Sequence, residues 1–387
     1  MVLNPAIIAD PDPNYPERLH MLFRATGPWP CAQQPGKPLP YPIFLGYARS
    51  EDNGLTWDAD FSHPALAPAL ATKAEDMFIT ARGGARVLNH ANGCIEDPRL
   101  FWLEGEGRLY LSTACRMFAP GPYWERDEPM QCAPEWASGD AVKVYGFGRA
   151  VAENLTVTVL WEVNLDRLAT GDYTTAFTYV APLTDPERGD NRDAFLFPRR
   201  LHIEGRDCYA CLHRPFEPCA YGPEYHGLPP SIFISIADRI EDFSTPGIRC
   251  RLLAQAEFQW EGNRVGASWV PIDLGHGEWL LPYHAKQDDV VGYTQSFMIL
   301  RESPDDGWPD VVHRCPDRLM YARKPWELDG RFKTPCLFTC GGLVRGSDLL
   351  MSYGAADTVA GVSWVNFTDL LAYVRSYDKH GVHFAPG

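Results

Sequence analysis

No stretch of the 387-residue chain is apolar enough to cross a membrane. The longest apolar runs are short, such as Trp279-Leu280-Leu281, whereas a spanning helix needs about 20 residues. The opening residues, Met1-Val2-Leu3-Asn4-Pro5-Ala6-Ile7-Ile8-Ala9-Asp10, lack the basic segment and apolar core of a secretory leader. Basic clusters are missing too: the longest is Arg199-Arg200, and the formal net charge is −15. That excludes a broad nucleic-acid footprint. The eleven cysteines are odd in number and irregularly spaced, with one C-x-x-C spacing at Cys208 and Cys211. Zinc sites normally show two such pairs or paired histidines, so no metal is expected, and the two residues read as opposite faces of one strand. Free thiols without a leader point to a reducing cytoplasm. No linker, low-complexity tract or charge run divides the chain, so one domain over residues 1–387 is expected. Apolar residues make up 45%, enough for a large core.

What is present is a texture of short strands. Examples are 18–25, 108–114, 194–203, 207–214, 231–237, 277–285, 296–301 and 348–356, each mixing aromatic, β-branched and aliphatic residues between Gly, Pro, Asp or Asn. With 33 Gly and 34 Pro, turns are frequent. Helical periodicity is confined to 164–170 and to 364–376 near the C-terminus. The fold class is therefore all-β: a sandwich, a barrel or a propeller. Ser50-Glu51-Asp52-Asn53-Gly54-Leu55-Thr56-Trp57 resembles the Asp-box turn of sialidase-like propellers. There Asp and Ser side chains bond turn backbone, Gly takes a left-handed conformation and Trp packs beneath. A Pro-, Glu- and Trp-rich loop at 118–140 has the length at which loops often carry function.

Polar knots recur at strand ends. Glu96-Asp97-Pro98-Arg99 sets two carboxylates beside a proline and an arginine. Pro98 is expected to hold Asp97 in extended backbone, and Arg99 can orient either carboxylate. The alternative is a salt-bridged strand entry with no chemistry. Asn191-Arg192-Asp193, His213-Arg214-Pro215, Tyr283-His284 and Gly354-Ala355-Ala356-Asp357 share this character. Strand ends that converge on one axis build a pocket.

In chain order, the set Asn4-Pro5, Leu22 to Ala25, Ala48-Arg49-Ser50, Glu96 to Arg99, Asp193-Ala194 with Leu196-Phe197-Pro198, Leu212 to Pro215, Gly266-Ala267, Tyr283-His284 and Tyr353 to Asp357 resembles glycoside hydrolase family 130, the β-mannoside phosphorylases and β-mannosidases. The resemblance implies a five-bladed β-propeller, here with a short C-terminal helix, and a site at its central depression. It implies Asp97 as proton donor, acting through a sugar hydroxyl on the glycosidic oxygen, which must be protonated as the bond breaks. It places Arg24, Arg49 and Asp357 on the mannosyl unit; Asp52, Glu96, Arg99 and Asp193 complete the expected substrate contacts. Arg149, Arg192, His213, Arg214, Tyr283 and His284 are the expected phosphate contacts, Arg192 standing where the family has lysine. The implied reaction is inverting cleavage of short β-mannosides, by phosphorolysis to mannose 1-phosphate or, alternatively, by water. A hydrolase needs a carboxylate to activate that water, and Glu217 and Glu224 are the candidates. No cofactor is implied beyond inorganic phosphate as co-substrate; the partners are a small β-mannoside and phosphate, with no nucleic acid or membrane.

Two other readings stand beside this one. The 12 Trp and 17 Tyr suit a non-catalytic propeller that stacks on sugars. A related five-bladed enzyme acting on arabinosides or xylosides would rely on a different set of three acids.

Overall fold

A computed structural model describes residues 1–27, 29–30, 38–39, 43–123, 132–329 and 334–384. Among these, five antiparallel sheets of at least three strands follow one another along the chain. The first holds β1 (Val2–Ala9), β2 (Leu19–Ala25), β3 (Phe44–Ser50) and β4 (Asp58–Asp60). The second holds β5 (Cys94–Leu103), β6 (Arg108–Arg116), β7 (Thr156–Val163) and β8 (Phe177–Pro182). The third holds β9 (Asn191–Leu196), β10 (Arg206–Pro215), β11 (Ile232–Ala237) and β12 (Arg249–Ala254). The fourth holds β13 (Arg264–Ala267), β14 (Glu278–Lys286), β15 (Tyr293–Glu302) and β16 (Pro309–Arg314). The fifth holds β17 (Leu337–Arg345), β18 (Asp348–Ala355) and β19 (Val359–Asn366).

The first strands meet one another: β1 packs on β5 and β17, β9 on β13, and β5 on β17. They therefore line a common axis, and the sheets are the blades of a five-bladed propeller. The apolar patterning explains the layering. All six residues of β11 are buried, as a continuous apolar run requires when both faces of a strand are covered. Its outer neighbour β12 carries Arg249 and Arg251 and is half-exposed, as suits an edge strand. The ring closes where Arg345 of the last blade donates from Nε to Asn53 Oδ1 of the first at 2.9 Å, and where Ser352 Oγ donates to Pro5 O at 2.6 Å.

Seven of the eight expected strands are present with small shifts of boundary, and the eighth, 194–203, is broken: β9 ends at Leu196, and Leu201–Ile203 forms a separate short strand on β10 after the turn at Pro198. Of the expected helices, one is α1 (Leu165–Ala169), capped by Asn164. The other begins later than its periodicity predicts: residues 364–366 end β19, in register with β18, and α2 (Phe367–Arg375) starts where the Asn366 side chain accepts the Asp369 N–H at 3.0 Å. No described helix is long and apolar enough to cross a membrane. Within loop 118–140, residues 124–131 lie outside the described residues. On either side Phe118, Ala119, Tyr123 and Ala137 are buried in one apolar cluster with Cys94. Cys208 and Cys211 are free thiols buried on β10.

Three first strands share one irregularity. Asn4-Pro5 stands opposite the single residue Phe23, Asp97-Pro98 opposite Thr113, and Asp193-Ala194 opposite His213. In each two-for-one bulge the first residue is left-handed, with φ of 47° at Asn4, 53° at Asp97 and 54° at Asp193. Asn and Asp tolerate that region better than other residues bearing a Cβ. The expectation that Pro98 keeps Asp97 extended is thereby corrected. A proline disfavours the right-handed helical region for its predecessor, and the bulge takes the left-handed solution instead.

Candidate active site

A bulge re-aims a side chain, and these three aim at the axis. Asn4, Asp97 and Asp193 line a cavity of about 280 Å³ at one mouth of the central channel. That is close to the lower end of ligand pockets, about 300–1,000 Å³. All five blades contribute: Asn4 and Arg24; Glu96, Asp97 and Arg116; Arg192, Asp193 and Arg214; Lys286 and Tyr293; and Phe338, with Asp357 beyond the end of β18.

Asp97 sits at the centre of a charged net. Asn4 Nδ2 donates to Asp97 Oδ1 at 2.7 Å. Arg24 spans three carboxylates, at 3.1 Å from Glu96, 3.6 Å from Asp97 and 3.7 Å from Asp357. Burial alone would lower the Arg24 pKa, but these carboxylates outweigh it and raise it further. Burial would push the Glu96 carboxyl up; Arg24, Arg116 and Arg192 outweigh that and hold it below the usual range. Asp193 is 2% exposed. It accepts from Arg214 Nε at 2.6 Å and from Arg99 Nη2 at 3.0 Å, and lies 3.3 Å from His284 Nε2. Burial opposes its charge, but Arg214, His284 and Arg99 hold its carboxyl well below the ordinary value. Close packing reserves this place: a Cβ on Gly266 would stand 2.5 Å from Asp193 Oδ2 and 2.6 Å from His284 Nε2.

Facing Asp97 is a wall of guanidinium groups from β6, β9 and β10. Arg192 is paired with Asp190, Nε to Oδ1 at 2.9 Å. Arg214 uses Nε on Asp193, while its buried Nη1 has no hydrogen-bond partner. Arg116 likewise has a buried Nε without one.

Of the residues expected at the site, Arg24, Glu96, Asp97, Arg192, Asp193, Arg214 and Asp357 line this cavity. The others do not, for separate reasons. Arg49 is at the far end of β3, paired across the ladder with His20, and its Nε contacts Glu51 at 2.8 Å. Asp52 is occupied by its own turn: Thr56 Oγ1 donates to Oδ2 at 2.5 Å, and Thr56 N and Ser50 Oγ donate to Oδ1 at 2.8 Å. These bonds, the Thr56 hydroxyl foremost, pull its carboxyl down to about 2. Arg99 is 1% exposed and lies beneath the cavity as a strut, donating to Asp97 O, Ser268 O and Asp193. Arg149 is turned outward and held by Glu153 and Glu217, with its N–H on Glu187. His213 is buried between Asn191 and Ser235, and burial drives its pKa down to about 3. It is neutral and cannot attract an anion by charge. Tyr283 is buried and donates to Glu261 at 2.8 Å. His284 is fully buried against Asp193 and Ser268. The two glutamates considered for water activation also miss the cavity: Glu217 binds Arg149 and Glu224 folds against Gly222.

Sequence reasoning missed Arg116, Lys286, Tyr293 and Phe338 as lining residues and used Asn4 only as a family marker. The rule that strands end in a charged residue at the axis finds Arg116 at once if the strand read as 108–114 is carried two residues further.

The fold and this cavity define a five-bladed propeller with a charged axial site, and comparison with known proteins gives the family. Residues 178–376, just over half of the chain, match the model of glycoside hydrolase family 130, described as beta-1,4-mannooligosaccharide phosphorylase. The chain belongs to that family. It is 29% identical over 180 residues to a 1,2-beta-oligomannan phosphorylase of Thermoanaerobacter sp. (strain X514), covering 46% of this chain and 52% of that one. It is 28% identical over 191 residues to a beta-1,4-mannooligosaccharide phosphorylase of Ruminococcus albus, covering 49% and 52%. The chain spans about half the length of the curated relatives it matches. Among solved structures, the fold is similar to β-1,2-mannobiose phosphorylase from Listeria innocua in complex with β-1,2-mannobiose, with TM-score 0.57, 16% identity, and coverage of 97% of this chain and 92% of that one. At that identity the likeness speaks for the propeller alone.

Proposed function

We propose that the chain is an inverting β-mannoside phosphorylase acting on short manno-oligosaccharides. One observation carries the reading: a single cavity sets Asp97 against three arginines, two of which keep buried, unpartnered N–H groups. Arginine suits a phosphate dianion through paired hydrogen bonds. Among the carboxylates lining the cavity, Glu96 is paired with Arg24 and Asp193 is locked by Arg99 and Arg214. With Glu217 and Glu224 outside, this arrangement favours phosphate over water as the attacking group.

In this reading Arg24 and Asp357 take the hydroxyls of the mannosyl unit, since each offers two hydrogen-bonding positions. A phosphate oxygen attacks the anomeric carbon and forms the new C–O bond on the face opposite the leaving group. The old glycosidic bond breaks with its electron pair on the leaving oxygen, which receives a proton originating on Asp97. The product is α-mannose 1-phosphate; the proton of the monohydrogen phosphate then returns to the carboxylate. No organic cofactor or metal enters the scheme. A cytoplasmic setting would supply phosphate and retain the charged product.

The test is product analysis on β-1,2- and β-1,4-mannobiose, with and without phosphate. The expected result is phosphate-dependent formation of mannose 1-phosphate. Mannose released at the same rate in phosphate-free buffer would overturn the reading in favour of hydrolysis.

A further inference from the structure

We infer that Arg116 is the phosphate-contacting arginine of this chain, doing what the sequence leads one to expect of Arg149. The inference deepens the phosphorylase reading and rests on it.

The two arginines differ in what surrounds them. Arg149 stands at the start of a one-turn helix, Arg149–Ala152. Its Nε contacts both oxygens of Glu153 at 2.9 Å, its Nη2 donates to Glu217 at 3.0 Å, and its backbone N–H is taken by Glu187. The hydrogen bonds it donates to Glu153 and Glu217 raise its pKa. Three carboxylates thus satisfy this group outside the cavity, and a further anion would meet their negative charge. Arg116 is the reverse case. It ends β6 beside Cys94 of β5, two residues from Glu96 on the strand that carries Asp97. It lines the cavity, and its buried Nε has no hydrogen-bond partner. A buried guanidinium N–H without a partner is costly, and a phosphate oxygen is a partner of the right charge.

Two neighbours complete the cradle. Arg214, 3% exposed, offers its buried, unpartnered Nη1 from β10, and Arg192 brings the positive charge left beside Asp190 on β9. The three arginines come from two adjacent blades and share the cavity with Asp97, so one sugar can meet acid and anion at once. Glu96 tunes the arrangement: its negative charge is stabilised by Arg116 and Arg24 together, which keeps the cluster from being purely repulsive before phosphate arrives.

The experiment is steady-state kinetics of the full chain with phosphate and mannobiose varied separately, for wild type, Arg116→Ala, Arg116→Lys and Arg149→Ala. Arg116→Ala is expected to raise KM for phosphate about ten- to a hundredfold, the range for losing a charged hydrogen bond. KM for mannobiose should change less than about threefold. Lys restores the charge without the paired geometry, so Arg116→Lys should recover part of the loss. Arg149→Ala should leave both constants near wild type. As a readout independent of turnover, phosphate should raise the melting temperature of wild type and fail to do so for Arg116→Ala. If wild type needs phosphate yet Arg116→Ala keeps its phosphate KM and its thermal shift, the inference falls while the phosphorylase reading stands. If Arg149→Ala shows the phosphate defect instead, the assignment is reversed. If wild type turns over without phosphate, both fall.

Discussion

The two mouths of the central channel share the strands β1, β5 and β17 and have opposite chemistry. At one mouth the first strands present Asn4, Asp97, Asp193 and Phe338, within a lining that holds four carboxylates and five cations in all. A few residues further along the same strands, the other mouth is lined by Ile7 and Ile8, Leu100 to Trp102, Trp269 to Ile272 and Gly341 to Leu343, nearly all apolar. At the charged mouth the ladder is interrupted by bulges with left-handed backbone; toward the apolar mouth β17 also slips by one residue at Cys340, but without left-handed backbone. Charge and strain thus sit together at one end, and cohesive apolar packing at the other. Strained residues persist only where the surroundings over-determine them, and here the apolar end supplies part of that support.

The sharpest way to break the comparison is Asp97→Asn. It should lower kcat by about 10²–10⁴-fold, the usual contribution of a general acid, while mannoside binding measured by calorimetry changes little. Unchanged turnover would remove the charged mouth from the chemistry. Next comes Asp193→Ala, which strands Arg99 and Arg214 without their buried partner. A loss of about 3–5 kcal/mol in denaturant unfolding is expected, larger than any effect on sugar affinity in the surviving folded fraction. At the apolar mouth, Leu100→Ala should cost about 2–5 kcal/mol of stability with kcat preserved below the melting transition. A kcat defect there would mean that the two ends are not separable.

Acid should weaken the core around its buried histidines, of which His284 lies against Asp193 under the charged mouth. Burial lowers the pKa of His213 to about 3 and of His90 to about 4, and also lowers those of His284 and His20. Their folded values lie below an unfolded value near 6.5, so the unfolded chain binds more protons between the two. The stability is fully present above pH ~6.5 and is lost as pH falls toward each folded value, at about 1.4 kcal/mol per unit for each histidine. Denaturant midpoints at pH 7.5 and 5 check this; equal midpoints would contradict it. The smallest effect is expected from Arg49→Ala, within about twofold on kcat/KM, because its partner Glu51 is an exposed carboxylate away from the cavity.

The all-β class and most strands were legible because strand composition and turn residues are local signals. The order of polar knots along the chain also led to Asp97, Arg24, Asp193 and Asp357. What the sequence hid was the direction each side chain takes from its strand. Asp97 and Arg99 are two residues apart in one strand, yet the bulge turns one into the cavity and leaves the other beneath it. Tyr283 and His284 end a strand as Arg214 does, but burial against Glu261 and Asp193 makes them supports. Arg149 carries the right charge at a plausible place, and only the fold brings three carboxylates around it. Arg116 lay two residues past the strand end read from composition, and only the fold shows the partner its buried Nε lacks.

The bulges at Asn4-Pro5, Asp97-Pro98 and Asp193-Ala194 occupy equivalent rungs of successive blades. Each adds one residue without disturbing the pairing on either side, so each is a separately exchangeable fitting. A ring made this way can change its chemistry one fitting at a time while its scaffold stays fixed, and the glycine at the matching level of the fourth blade, Gly266, marks a place left empty so that its neighbour's carboxylate could be installed.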